Sequence, residues 1–139
     1  MPAKDIIHDK VKYALINDGW TITHEPYPIR YKTVSASADL GAERTLAAEK
    51  GQEKIVVEVK SFIKLSPLHD FEIALGQYNL YLGILEIIAP ERKLYLAVND
   101  VVYRDLFKQE AIELILNRYQ VSVIVVNLTQ EVIVQWIKR

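Results

Sequence analysis

Asp39 lies nineteen residues ahead of Glu58, and Glu58-Val59-Lys60 closes the apolar run that begins at Ile55. Two carboxylates and a lysine brought together at a sheet edge can hold a hard divalent cation and set a water against a phosphodiester. With no imidazole or thiolate cluster evident beside them, the ion expected at Asp39 and Glu58 is Mg²⁺ or Mn²⁺. Lys60 would orient or deprotonate the attacking water, or stabilise charge developing on phosphorus. The same Glu-x-Lys pattern also reads as the solvated face of an ordinary strand.

The acids meet only if the chain folds back on itself between them. Gly51 supplies backbone freedom for a turn near Lys50-Gly51-Gln52-Glu53, which predicts a long hairpin from Asp39 onward. A turn centred between Gly51 and Gln52 sets Glu43 opposite Lys60 and Thr45 opposite Glu58. Period-two alternation then puts Asp39, Glu43, Glu58 and Lys60 on one face and Leu40, Leu46, Ile55, Val57 and Val59 on the other. This depends on the register, because a slip of one residue exchanges the faces of a strand.

Other residues stand in line to support such a site. Gln77 shares a helical line with Asp70, Ile73 and Tyr81, from which its amide could reach the acids. The adjoining Gly76 suggests close approach of a backbone or ligand, and an exposed glutamine beside a packing glycine is the alternative. Asp9 could contribute an outer carboxylate, although Asp5, Asp9 and Lys12 share a flank whose acids the helix dipole favours in any case. Glu43 is the second supporting acid. His24 and His69 have no adjacent partners forming a metal motif and read as structural or exposed.

The elements that must position these groups are punctuated clearly. Ile7, Val11, Ala14 and Leu15 recur at helical spacing from Ala3 to Asp18, and Gly19 is a natural stop. Trp20 to Tyr27 reads as a strand closed by Pro26 and Pro28, and Ile29 to Ala38 is too polar and small for a firm strand assignment. Ser66-Pro67 is a cap followed by proline at the first helical position. It opens a helix to about Ile88, with an apolar stripe of Phe71, Leu75, Tyr78, Leu82 and Leu85. Lys93 to Val98 is a strand, Asp100 caps a third helix reaching Arg118, and Val121 to Val126 and Val132 to Ile137 are two more strands. Helices separating some strands and a hairpin joining others predict an α/β fold with one mixed sheet flanked by helices.

The chain has 139 residues, half of them hydrophobic and a quarter charged, with five Gly and five Pro. That balance fits a single ordered domain over 1–139. There is no cysteine, so disulfides and thiolate chemistry are excluded, and a cytoplasmic location is expected. The charged N-terminal segment is unlike a signal peptide, and Leu80 to Ala89, interrupted by Glu86, is too short to span a bilayer. Seventeen basic and eighteen acidic residues give a net charge of −1, which argues against avid, free-standing DNA binding by broad phosphate neutralisation.

The runs HDKVKYAL, DGWTITHEPY, DLGAE, AAEKGQEKIVVEVKSF and ALGQYNLY resemble the fdxN-element excision controlling factor family of cyanobacteria, the XisH-type proteins, over essentially the whole chain. The resemblance implies a restriction-endonuclease-like fold of the PD-(D/E)XK kind, with Asp39, Glu58 and Lys60 at the signature positions and Gln77 in the following helix. Ala38 stands where the superfamily signature has proline. The resemblance further implies a role in developmentally controlled DNA rearrangement, during heterocyst differentiation, where a site-specific recombinase is helped by accessory factors. Two functions follow as alternatives: an excision factor that retains a metal site and endonuclease activity on DNA, or a non-catalytic module that contacts the recombinase or a small companion factor. Duplex cutting commonly needs two active sites, so a homodimer is expected, with Tyr81, Tyr103 or Trp136, if exposed, as interface candidates that read equally well as core.

Overall fold

The computed structural model describes residues 3–46, 51–62 and 66–139. Helix α1 (Ala3–Asn17) buries Val11, Ala14 and Leu15 and stops at Gly19, whose φ of 95° is open to glycine. Strand β1 (Thr21–His24) follows, then a hairpin of β2 (Tyr27–Tyr31) and β3 (Val34–Ala38). Strands β4 (Leu40–Leu46) and β5 (Gly51–Val59) precede the long helix α2 (Pro67–Ile88). Strand β6 (Arg92–Asn99) leads into the short α3 (Asp100–Val102) and a π-helical turn at Tyr103–Phe107. Helix α4 (Glu110–Arg118) and strands β7 (Val123–Asn127) and β8 (Val132–Ile137) complete the chain.

Six strands form one mixed sheet in the order β1-β4-β5-β6-β7-β8. The β5/β6 and β6/β7 pairs are parallel, and β1/β4, β4/β5 and β7/β8 are antiparallel. Both faces are covered. On one side α2, the π-turn, α4 and the β2/β3 hairpin pack over Val56, Leu94, Leu96 and Val98; on the other α1, Trp20 and Trp136 pack over Ile55, Val57, Tyr95 and Ala97. This double burial is why Leu94 to Val98 and Val123 to Val126 read as unbroken apolar runs instead of alternating ones.

The expected α/β sheet with flanking helices is therefore present, and its corrections are local. Leu40 pairs with Val57 and Glu43 with Lys54, so the hairpin register is six residues away from one that sets Glu43 against Lys60. The shift is even, so every residue keeps its face. Gly51 opens β5 instead of centring the turn. The connecting residues 47–50, and the side chains of Asp5, Thr45 and Leu46, lie outside the described residues. Pro28 does not end a strand but sits within β2 opposite Ser37, in a two-stranded hairpin that has no central position for it to disrupt.

Helix α2 begins as its cap signals predict, with the Ser66 hydroxyl accepting from the His69 N–H at 3.2 Å. The predicted third helix is broken. Asn99, not Asp100, caps it, with Oδ1 accepting from the Val102 N–H at 2.7 Å. The π-turn then carries Leu106 and Phe107 into the core, where the Phe107 ring meets Phe62 and Phe71 nearly edge-on.

Tyr78 locks α2 to the sheet. Its buried hydroxyl donates to the Leu94 carbonyl at 3.1 Å and accepts from the Ser122 N–H at 3.0 Å, tying together elements distant in sequence. Tyr78→Phe leaves both backbone groups without that partner. The expected cost is about 2 kcal/mol, read as a drop in the urea midpoint with an unchanged m-value.

Candidate metal centre

Continuing the β4/β5 register one residue beyond Leu40 and Val57 sets Asp39 opposite Glu58, at the carboxyl ends of the parallel strands β5 and β6. In α/β sheets this is the end where ligands are usually held. The Val59 N–H donates to Asp39 Oδ2 at 2.7 Å, and the Lys60 N–H continues the ladder to the Ala97 carbonyl at 3.0 Å. Lys60 Nζ stands 3.7 Å from Glu58 Oε2. Asp39, Glu58 and Lys60 are thus brought together at this end of the sheet, with Glu58 buried and Asp39 and Lys60 half-buried.

Glu58 is only 7% exposed. Burial pushes its carboxyl up to about 8, a hydrogen bond with the Asp39 carboxyl and the charge of Asp39 push the same way, and Lys60 opposes them. A buried carboxyl whose charge is disfavoured in this way is short of positive charge beside it. From α2, Tyr81 faces the pair: its phenol is raised first by burial and then by the charges of Glu58 and Asp39. Tyr81 is buried, so it is not the exposed interface residue expected; Tyr103 and Trp136 are half-buried, with the Trp136 ring held against Trp20 and Tyr95.

Gln77 lies one turn before Tyr81 on the same line of α2. Among the described residues its Oε1 is buried and accepts no hydrogen bond. A buried oxygen without a partner carries a desolvation cost that a cation or an ordered water would remove. The Asp39 and Glu58 carboxylates offer oxygen donors, and that chemistry suits Mg²⁺ or Mn²⁺.

The sequence expectations missed an outer network. His8 on α1 places Nδ1 3.6 Å from Asp39 Oδ1 and Nε2 2.6 Å from Glu25 Oε2, and Lys12 Nζ reaches Glu25 Oε1 at 2.7 Å. Those hydrogen bonds, Lys12 first and His8 second, hold the Glu25 carboxyl below its usual range. Asp9 joins this outer group, where ligand atoms of His8, Asp9 and Glu25 lie within 4.8 Å of one another. The only local signal was His8 and Lys12 one turn apart on a helix.

Glu43 is held elsewhere. It accepts from Arg92 Nη2 at 2.8 Å, and that guanidinium lies 4.9 Å from the centre of the Tyr27 ring. Tyr27 in turn packs against Gly41, where a Cβ would come within 2.8 Å of the ring, so only glycine lets the hairpin cross β4 here. Gly76, by contrast, has nothing within 4 Å of where its Cβ would be, so no described part of this chain makes the close approach expected there. His24 stacks edge-on to Tyr27, in keeping with a structural role, and His69 is exposed.

No described helix is long and apolar enough to cross a membrane. No protein of curated function matches the chain. The family model for the XisH protein matches residues 1–134. The crystal structure of an XisH family protein from Nostoc punctiforme is 41% identical, with a TM-score of 0.88 over 96% of this chain and 100% of that one. A crystal structure of a fdxN element excision controlling factor protein from Anabaena variabilis is likewise 41% identical, with a TM-score of 0.88 over 96% of this chain and 99% of its own. The chain belongs to the XisH family.

Proposed function

We propose that this protein is a controlling factor for site-specific excision of a DNA element, built on a PD-(D/E)XK nuclease-like scaffold that binds Mg²⁺ or Mn²⁺ and acts on phosphodiesters. The observation that carries the reading is the buried Asp39–Glu58 carboxyl pair beside Lys60. Asp39 and Glu58 would hold the cation, with Gln77 as a supplementary oxygen. When bound, the cation would supply Lewis-acid polarisation of a phosphoryl oxygen and a lowered pKa for water.

The chain's own groups have distinct tasks. The Val59 N–H fixes Asp39, leaving Oδ1 for the ion or for His8. Lys60 presents an ammonium that can orient water and offset negative charge on the phosphoryl group. Tyr81 and the α2 face exclude bulk water from Glu58.

A net charge of −1 favours delivery of DNA by other proteins, a site-specific recombinase and a companion controlling factor, over independent capture from solution. A homodimer would supply one site per strand, and work on DNA places the protein in the cytoplasm. Isothermal titration with Mn²⁺, followed by incubation with supercoiled, linear and branched DNA, tests the proposal. Asp39→Asn is expected to weaken Mn²⁺ binding at least about tenfold and to abolish metal-dependent cutting. Absence of both Mn²⁺ binding and cutting in the wild type, with a stable complex to a partner protein, would assign the fold to a purely interacting role.

A further inference from the structure

Helix α2 is apolar on both sides. Its inner face, from Phe71 through Tyr78 to Leu85, fills the core. Its outer face carries Ile73, Leu80 and Ile87, spaced by seven and 39%, 50% and 58% exposed. Gly76 and Gly83 fall between them, so that Ile73, Gly76, Leu80, Gly83 and Ile87 repeat in the three-four spacing of a helix-packing seam about 21 Å long. A helix that buries only one face has no need of such a stripe on the other.

The glycines are an independent sign. A Cβ at Gly76 or Gly83 would meet nothing within 4 Å, so packing inside the protein requires neither. Glycine weakens a helix interior, and two of them facing outward between large apolar side chains leave room for another backbone to come close. A seven-residue repeat matches a second helix, not a strand, whose side chains alternate every two residues.

Charge then selects the occupant. The charged residues of α2 are Asp70, Glu72 and Glu86, with no lysine or arginine. Glu72 and Glu86 are exposed two heptads apart, at the same position beside the seam. A second copy of α2 would bring acid to acid, and an anionic membrane would be repelled in the same way. We propose that the outer face of α2 docks an amphipathic helix of a partner protein, one whose apolar stripe is flanked by lysine or arginine. The proposal names the partner chemistry for the interacting role above and is independent of whether the metal centre cuts DNA.

The test uses the full chain without metal or DNA and two fluorescein-labelled synthetic helical peptides. Both carry a Leu/Ala seam; one is flanked by lysines and the other by glutamates. Anisotropy is expected to show the lysine peptide binding at least about tenfold tighter, and weakening as salt is raised. Leu80→Asp, at a half-exposed site, is expected to weaken binding at least about tenfold with unchanged circular dichroism and melting. Glu72→Lys/Glu86→Lys is expected to reverse the peptide preference, a readout that loss of folding cannot produce. Equal binding of the two peptides, binding of neither, or indifference to Leu80→Asp overturns the proposal. So does a dimer, seen by sedimentation, that Leu80→Asp dissolves, because the seam then belongs to a second copy.

Discussion

The metal-free protein is expected to lose stability as the pH rises from about 4.5 to about 8, and Glu58→Gln to remove most of that dependence. The sign follows from linkage. Glu58 holds its proton more tightly folded than unfolded, because burial and the neighbouring Asp39 both disfavour its charge. Its contribution is therefore complete below the ordinary carboxyl value of 4.5 and is lost as the pH climbs through the folded value of about 8. Thermal melts across that window would measure an effect on the order of a few kcal/mol. The amide introduced by Glu58→Gln cannot ionise and can still donate to Asp39, so at pH 8 the variant should melt above the wild type. A divalent cation replaces the proton, so Mn²⁺ should raise the wild-type melting temperature more at pH 8 than at pH 5 and leave Glu58→Gln nearly unmoved. An identical pH slope in the two proteins would show that Glu58 is not the group being titrated.

The same carboxyl shows how far the chain can be read without coordinates. Asp39, Glu58 and Lys60 were legible because alternation in strands is independent of where the turn falls, provided any error in register is even. The turn was misplaced because Gly51 is the obvious breaker, whereas Gly51 already pairs with Leu46 and begins a strand. Glu43 shares the face of the acids, but a face is larger than a site. Arg92, forty-nine residues away, is near enough to claim it.

Punctuation by proline and serine gave α2 nearly its true limits, and nothing comparable marked the β2/β3 hairpin. Its Ser35-Ala36-Ser37-Ala38 run has little strand character of its own and is held by pairing with β2 and by burial of Ile29 and Ala38 against the core. The break after Val102 was hidden for a related reason, since a π-turn is selected by where Phe107 must go rather than by a local breaker. His8, Lys12 and Glu25 were missed because their connection to Asp39 crosses from a helix to a strand edge. No spacing rule within one element can show a contact of that kind.

Lys60→Met is expected to separate holding the cation from using it. The ammonium lies 3.7 Å from Glu58 Oε2, and residues two apart on a strand point the same way, so Lys60 reaches the acid pair without being a ligand itself. Methionine keeps much of the length of the side chain and removes its charge. If Lys60 orients water and offsets charge at the phosphoryl group, cleavage should fall at least about a hundredfold. Mn²⁺ affinity should change far less, because the ammonium is not a ligand. Asp39→Asn, which removes a ligand, should weaken Mn²⁺ binding at every pH. Single-turnover cleavage and Mn²⁺ titration on the same three proteins decide the matter. Unchanged cleavage in Lys60→Met would exclude the lysine from the chemistry. Tight Mn²⁺ binding by a wild-type protein that cuts no DNA would leave Asp39 and Glu58 as a structural cation site, and the partner-binding face of α2 as the working surface.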